Sequence, residues 1–134
     1  MAKVVVLYKN PKNAEAFFNM GEAYRVLHRD EEAAQAYRQA THLKPDDEEA
    51  YYQLGKSQMR LARYAEAAAA FQKAQDLDPD DSRVSDALDD AHEGAQRIKE
   101  GKKHQEDMLK KQDNANKNAN AATPAVKPST ESHP

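Results

Sequence analysis

The chain has 134 residues, a length typical of one domain, and 32% of them are charged while only 39% are hydrophobic. The absence of cysteine excludes disulfides, thiolate catalysis and cysteine-based zinc sites, and the net charge of −3 argues against a generally basic nucleic-acid-binding protein. The longest apolar run, from Val4 to Tyr8, is far shorter than the ~20 residues that span a bilayer. We therefore expect a soluble, cytoplasmic protein. Either part of the chain is unfolded, or the fold is so thin that much of it faces water.

Residues 1–13 do not share the helical pattern that follows them. The three consecutive valines at positions 4–6 favour an extended strand over a helix. Pro11, however, lies 34 residues before Pro45, a spacing that recurs later in the chain. The segment is predicted to be either the remnant of a preceding repeat or a separate docking strand, and its exposure would favour aggregation.

Residues 14–47 align with residues 48–81 after a shift of 34 positions, without a gap. Glycines and prolines coincide, as in Gly21 with Gly55 and Pro45 with Pro79. In each unit, apolar residues recur at helical spacing in two stretches that a short break separates. The sequence therefore predicts two helix–turn–helix units, each ended by a proline, because the residue before a proline avoids the helical region.

This pattern resembles the tetratricopeptide repeat, a helix–turn–helix unit of the same length. The resemblance implies an all-α fold, a short right-handed α-solenoid, and a role in binding other proteins. Gln58 departs from the pattern, because the family prefers tyrosine at that place. The residues that carry the resemblance are Phe17, Met20, Gly21, Tyr24, Ala33, Tyr37, Ala40 and Pro45, and then Tyr51, Leu54, Gly55, Gln58, Ala67, Phe71, Ala74 and Pro79.

Residues 82–111 are predicted to form a capping helix that ends the array. No glycine stands at position 89, where a further unit would have one, and no second helix follows. The apolar residues fall on one stripe, and the polar remainder supplies the outer face that a terminal repeat needs. The stripe comprises Val84, Leu88, Ala91, Ala95 and Ile98.

Beyond this stripe the sequence loses its helical pattern. Gly101 weakens helix formation, so we expect the capping helix to fray between about residues 100 and 112. Residues 112–134 contain no aromatic residue and a single valine. Such a segment cannot bury enough apolar surface to offset its chain entropy, and we expect a disordered, low-complexity tail.

The sequence contains no recognisable catalytic or metal-binding pattern. It lacks a glycine-rich phosphate loop, a His-Glu-x-x-His motif and a Gly-x-Ser-x-Gly motif. The acidic run at 76–81 has Asp81 where a calcium loop needs its glycine, and Ala87 where it needs its bidentate glutamate. We therefore expect a non-catalytic protein without a metal or cofactor. Because no aromatic residue interleaves with the basic cluster at 97–111, we do not expect nucleic-acid binding.

The resemblance also implies a concave binding groove lined by the first helix of each unit. Phe17 and Tyr51 already occupy core positions, so the neighbouring rings of Phe18 and Tyr52 must point elsewhere. Exposed aromatic residues flanked by amides and charges suit a peptide site. Alternatively, Phe18 packs beneath the N-terminal segment and Tyr52 packs only between helices. The predicted groove residues are Phe18, Asn19, Glu22, Arg25, Tyr52, Gln53, Lys56, Met59, Arg60 and Arg83.

One known use of the family can be compared residue by residue. Repeats that hold the C-terminal carboxylates of heat-shock chaperones use a lysine and an asparagine on one first helix, an asparagine on the next, and a lysine and an arginine on the third. Phe18 and Glu22 stand in place of the first pair, and Ala87 in place of the final arginine. Only Arg83, and loosely Gln53, fit, so this carboxylate clamp is not expected.

Two functional hypotheses follow. The first is a non-catalytic adaptor or co-chaperone that holds a peptide or helix of a partner protein in the groove. The second is a self-assembling scaffold or a fixed subunit of a larger complex, because such arrays usually need about three units to bury a continuous core. The open N-terminal end, with the segment from Val4 to Tyr8, would then be covered by another copy.

Overall fold

The structure, a computed structural model, describes residues 11–122. These residues form helices without a strand among them, which confirms the predicted all-α class. The segment from Val4 to Tyr8 and the end of the predicted tail, from residue 123, lie outside the described residues. The helices are α1 (Pro11–Val26), α2 (Asp30–Leu43), α3 (Glu48–Arg60), α4 (Tyr64–Leu77) and α5 (Ser82–Ala122).

The turns inside the two repeat units have the same geometry. His28 and Ala62, which stand at equivalent positions, have φ angles of 59° and 60°. After the second of these, the backbone N–H of Arg63 donates to the carbonyl of Gln58 at 2.8 Å, and the equivalent bond closes the first turn at 2.9 Å. A left-handed residue of this kind ends a helix and satisfies its last carbonyl groups.

Acidic residues lie in the first turns of α2, α3 and α4. Asp30, Glu31 and Glu32 occupy the first turn of α2, where carboxylates suit the positive end of the helix dipole. Asp47 caps α3, since its Oδ1 accepts the backbone N–H of Ala50 at 3.2 Å. Asp47, which follows Pro45, therefore caps the start of α3.

The rings of the second helices form the centre of the core. Tyr37 of α2 and Phe71 of α4 are buried, with exposures of 0% and 1%. Each lies against a glycine of its own unit's first helix. A Cβ at Gly21 would come within 2.6 Å of the Tyr37 ring, and one at Gly55 within 2.5 Å of the Phe71 ring. Only glycine allows the two helices to approach this closely.

Two clusters of buried residues connect the helices. One joins the two units, since Tyr37 of α2 packs with Leu54 of α3 and Ala70 of α4. The other joins α4 to the start of α5, so the predicted apolar stripe of the capping helix is buried through Ala91. Its buried members are Ala67, Ala68, Phe71, Ala74, Val84, Leu88 and Ala91.

Four apolar residues of the predicted stripes are exposed instead. Leu27 follows the last residue of α1 and Leu77 is the last residue of α4, so both leave the packed face at a helix end. Met20 is 45% exposed because no helix among the described residues covers the outer side of the first unit. Ile98 is 42% exposed and lies beyond the packed part of the stripe.

The chain divides into two units, residues 1–96 and residues 97–134. The first contains the repeats and the packed start of α5. In the second, α5 continues to Ala122, past the region of residues 100–112 where fraying is expected and past residue 112 where the tail is expected to begin. Alanine, lysine and glutamine favour helix, and no proline interrupts them before Pro124. The side chains at 97–120 are exposed, including Met108.

Candidate functional site

The ten predicted groove residues lie on α1, α3 and the start of α5, and the side of these helices on which the sequence analysis expects them is called the first-helix face below. Phe18 and Tyr52 are its half-buried rings. Phe18 meets Tyr37 edge-on with the ring centroids 5.5 Å apart, and Tyr52 lies tilted against Phe71 at 5.9 Å. Each ring is therefore fixed by the second helix of its own unit and remains partly accessible.

Two cations flank the ring of Tyr52. The guanidinium carbon of Arg83 lies 4.4 Å from the ring centroid, and the Lys56 Nζ lies 5.5 Å from it, both within cation–π range. Arg83 Nη2 donates to Glu49 at 3.0 Å and to Asp81 at 2.8 Å, and these bonds raise the pKa of Arg83. Lys56, by contrast, forms no ion pair with another described residue.

A second charged group lies on α1. Arg25 Nη2 donates to Glu22 at 2.9 Å, and the hydroxyl of Tyr37 donates to the same carboxylate. The hydrogen bond from Arg25 is the main reason why the pKa of Glu22 is lowered. Burial and the bond to Glu22 raise the pKa of Tyr37. The hydroxyl of the buried Tyr37 thus fixes the orientation of the Glu22 carboxylate on the first-helix face.

The remaining predicted residues are placed differently. Gln53 donates to Glu49 at 3.0 Å, next to the bond from Arg83, so it joins the Tyr52 group. Asn19 is exposed, and Met59 is half-buried against the cluster that contains Phe71. Arg60 turns away to pair with Asp30 of α2 at 2.8 Å. The structure therefore gathers Tyr52, Gln53, Lys56 and Arg83, and separately Glu22 and Arg25.

Three carboxylates meet where α3 and α5 begin. Ligand atoms of Glu48, Asp78 and Asp81 lie within 4.8 Å of one another, a donor set that could hold a hard cation. Burial, and then the hydrogen bond to Asp81, raise the pKa of Glu48 to about 7. Arg83 lowers the pKa of Asp81 to about 2. The raised pKa of Glu48 and the lowered pKa of Asp81 are those expected of two carboxyl groups that share one proton, which would account for their contact.

A groove on the outer side of the first unit was not anticipated from the sequence. It lies between α1 and α2, has a volume of about 340 Å³, and is called the end groove below. The sequence did contain an indication of this groove. Phe17 and Met20 are apolar residues of the repeat pattern, and no described helix covers them on this side. The lining residues are Phe17, Met20, Tyr24, Glu32, Gln35, Ala36, Arg38 and Gln39.

Gln58, where the family prefers tyrosine, is 3% exposed and fully bonded. With its amide oriented to satisfy both neighbours, the nitrogen donates to the Glu66 carbonyl at 3.1 Å and the oxygen accepts from Arg38 Nη2 at 3.1 Å. Arg38 belongs to the first unit and Glu66 to the second. The departure from the family pattern therefore adds a polar contact between the units.

The junction between the two repeat units and the junction between the second unit and α5 use equivalent positions, 34 residues apart. Arg60 pairs with Asp30, and the residues 34 positions later are Gly94 and Tyr64. A Cβ at Gly94 would lie 2.6 Å from Tyr64 Cδ1, so α5 approaches the start of α4 through a glycine. The ion pair between Arg60 and Asp30 at the first junction therefore corresponds to close packing between Gly94 and Tyr64 at the second.

Within residues 11–122, no helix is both long enough and apolar enough to cross a membrane.

Comparison with protein families matches the repeats that the sequence predicts. A family model described as TPR repeat matches residues 28–61, and one described as Tetratricopeptide repeat matches residues 48–81. The second match has the same boundaries as the second predicted unit. No curated protein matches the sequence.

Solved structures share the fold. A crystal structure of MamA is 27% identical, covers 87% of this chain and 67% of that chain, and superposes with a TM-score of 0.61. Another crystal structure of MamA protein is 24% identical, covers 96% of this chain and 66% of that chain, and has the same TM-score of 0.61. The chain thus spans about two thirds of the length of the MamA structures that it matches.

Proposed function

We propose that this chain is a non-catalytic interaction module of the adaptor or co-chaperone type, because residues 28–81 match family models of the tetratricopeptide repeat. It holds a peptide or a helix of a partner protein against the first-helix face, which is the concave face in the family. A cytoplasmic location belongs to the same proposal.

The observation that carries this proposal is the group around Tyr52. A half-buried ring, fixed from behind by Phe71, presents apolar surface for a partner side chain. Lys56 lies beside it at 5.5 Å and has no carboxylate partner among the described residues. A partner that places an apolar side chain on the ring and a carboxylate on Lys56 would satisfy both groups.

Phe18 extends this surface to the preceding unit. It stands 34 positions before Tyr52 and is held by Tyr37 in the way that Tyr52 is held by Phe71. The Glu22–Arg25 pair on the same helix adds one group of each charge. A bound segment can therefore contact equivalent rings on two successive first helices, which favours an extended peptide or a helix over a single side chain.

Charge reversal at Lys56 tests the proposal. Peptides selected from a random display library with the wild-type chain should bind Lys56→Glu at least tenfold more weakly, because the reversed charge repels their carboxylates. Lys73→Glu, on an exposed part of α4, is the matched control and should bind them normally. The proposal fails if no peptide is selected, or if both variants bind the selected peptides equally well.

The alternative hypothesis, a self-assembling scaffold or fixed subunit, requires another chain at the N-terminal end. It would use the end groove, which shares no residue with the first-helix face. This alternative predicts a solution mass that rises with protein concentration, whereas the interaction module predicts a constant monomer mass.

A further inference from the structure

The side chains of α5 at positions 97–120 are exposed, and three of them are large and apolar. Ile98, Met108 and Leu109 are 42%, 52% and 54% exposed. Ile98 and Leu109 are 11 residues apart, which is about three turns of an α-helix, so they point in nearly the same direction. Met108 stands next to Leu109, and the exposed helix therefore carries its large apolar side chains on one side.

An uncharged stripe runs along this side of the helix. Positions that recur at alternating intervals of three and four residues share one face of a helix, as the a and d positions of a coiled coil do. Counted from Ile98, none of these positions up to residue 119 carries a charge, and they extend over about 32 Å. They are called the α5 stripe below and comprise Ile98, Gly101, Gln105, Met108, Gln112, Ala115 and Ala119.

The positions that flank the α5 stripe carry charge of one sign. In a coiled coil these are the e and g positions, whose charges decide which partner helix is accepted. The acidic residues between 100 and 113 all lie outside them. Lys102 and Lys111 form no ion pair with another described residue. Every ionisable residue at the flanking positions is basic, namely Arg97, Lys102, His104 and Lys111.

These flanks decide which molecule can cover the α5 stripe. A second copy would place basic flanks against basic flanks in either orientation, which opposes pairing. A membrane surface favours a helix whose apolar face contains tryptophan, phenylalanine or leucine, whereas Gln105 and Gln112 stand within this stripe. A helix with an apolar face and acidic flanks would cover Met108 and also supply carboxylates to Lys102 and Lys111.

We propose that the α5 stripe binds an amphipathic helix of a partner protein, with acidic residues on both flanks of that helix. This second interaction surface is independent of the proposed function. Residues 97–120 include no member of the first-helix face and none of the residues that line the end groove.

A designed peptide tests the proposal with the full chain. The probe is a fluorescently labelled helical peptide of three heptads, with leucine at a and d and glutamate at e and g, and its counterpart has lysine at e and g. We expect the glutamate peptide to bind about tenfold more tightly than the lysine peptide by fluorescence anisotropy, and salt to reduce this difference. Met108→Asp/Leu109→Asp should weaken binding of the glutamate peptide about tenfold.

Two double variants with the same change of net charge separate the flanks from the rest of the helix. Lys102→Glu/Lys111→Glu reverses two flanking charges and should weaken binding of the glutamate peptide about tenfold. Lys103→Glu/Lys110→Glu lies on the opposite side of the helix and should leave it within about twofold. An equal loss in both variants would show attraction by net charge alone and would overturn the proposal, as would a failure of the glutamate peptide to bind.

Two measurements test the other occupants of the α5 stripe. A wild-type solution mass above 15.0 kDa that falls to this value in Met108→Asp/Leu109→Asp would assign the stripe to a second copy. Sedimentation of the chain with phosphatidylglycerol vesicles, lost in Lys102→Glu/Lys111→Glu, would assign it to a membrane surface. We expect neither result, and either one would overturn the proposal.

Discussion

Gly55 and Phe71 are in such close contact that a single added carbon at position 55 would lie 2.5 Å from Phe71 Cε1. Glycine usually weakens a helix by about 0.5–1 kcal/mol relative to alanine, so Gly55→Ala would stabilise α3 if helix propensity alone decided. We predict the opposite, a lower melting temperature, because the buried ring has no free space into which to move. In the background of Phe71→Leu, the same substitution should be tolerated better, and a double-mutant cycle by thermal unfolding measures this.

Phe71 itself should be among the most costly side chains to remove. It is 1% exposed and belongs to the cluster that joins α4 to α5, so Phe71→Ala leaves a cavity there. Loss of a buried phenylalanine costs about 3–5 kcal/mol, against a total stability of about 5–15 kcal/mol for a domain of this size. Chemical unfolding should show most of this loss, whereas Leu109→Ala, at a 54% exposed site, should have little effect. An unchanged midpoint for Phe71→Ala would contradict the assignment of the core.

Ala62 offers a stabilising substitution. Its φ angle of 60° is left-handed, a conformation that costs an L-residue about 1–2 kcal/mol and glycine almost nothing. Ala62→Gly should therefore raise the melting temperature. Ala69→Gly, at an exposed position inside α4, should lower it, because there glycine only weakens the helix. If the two substitutions shift the melting temperature in the same direction, the turn geometry is not as described.

Glu48 should make the stability depend on pH. Its pKa is about 7 in the folded chain against an ordinary value of 4.5, so the folded state binds the proton more tightly. The stability contributed by protonated Glu48 is complete below pH 4.5 and is lost as the pH rises through 7. Asp81 acts in the opposite sense in acid, because its lowered pKa stabilises the fold above about pH 4 and this is lost towards pH 2.

Glu48→Gln isolates this effect. The amide keeps a donor for Asp81 and does not ionise, so the variant should be more stable than the wild-type chain at pH 8 and nearly equal to it at pH 4. Urea unfolding at both pH values measures the difference. A wild-type decline between pH 5 and pH 8 that persists unchanged in Glu48→Gln would show that another group is responsible.

The repeat made most of the fold predictable. A shift of 34 residues aligns the two units and relates the contact of Gly21 with Tyr37 to that of Gly55 with Phe71, because residues at equivalent positions meet equivalent neighbours. The same reasoning misplaced Met20, since a position is buried only when a neighbouring helix covers it, and periodicity does not report the neighbour. The helix α5 also continues past residue 112, because the lack of an apolar stripe removes tertiary packing but does not remove the helix propensity of the residues.

The sequence predicted which residues lie in the site better than it predicted which partners their side chains contact. Position in the repeat places Tyr52, Lys56 and Arg83 on one surface, and the structure brings them together. Arg60 was assigned to the same surface, but a long flexible side chain takes the nearest carboxylate, and Asp30 lies within reach. Such choices depend on distances between units that the sequence alone does not specify.

Mapping a selected peptide on the isotope-labelled full chain by NMR shows whether the first-helix face is where the peptide binds. The largest chemical-shift changes should occur at Tyr52, Lys56 and Arg83, with smaller ones at Phe18, and none at the exposed residues of α4. Changes confined to Met20 and Tyr24, or to the outer surface of α2 and α4, would contradict binding at this face.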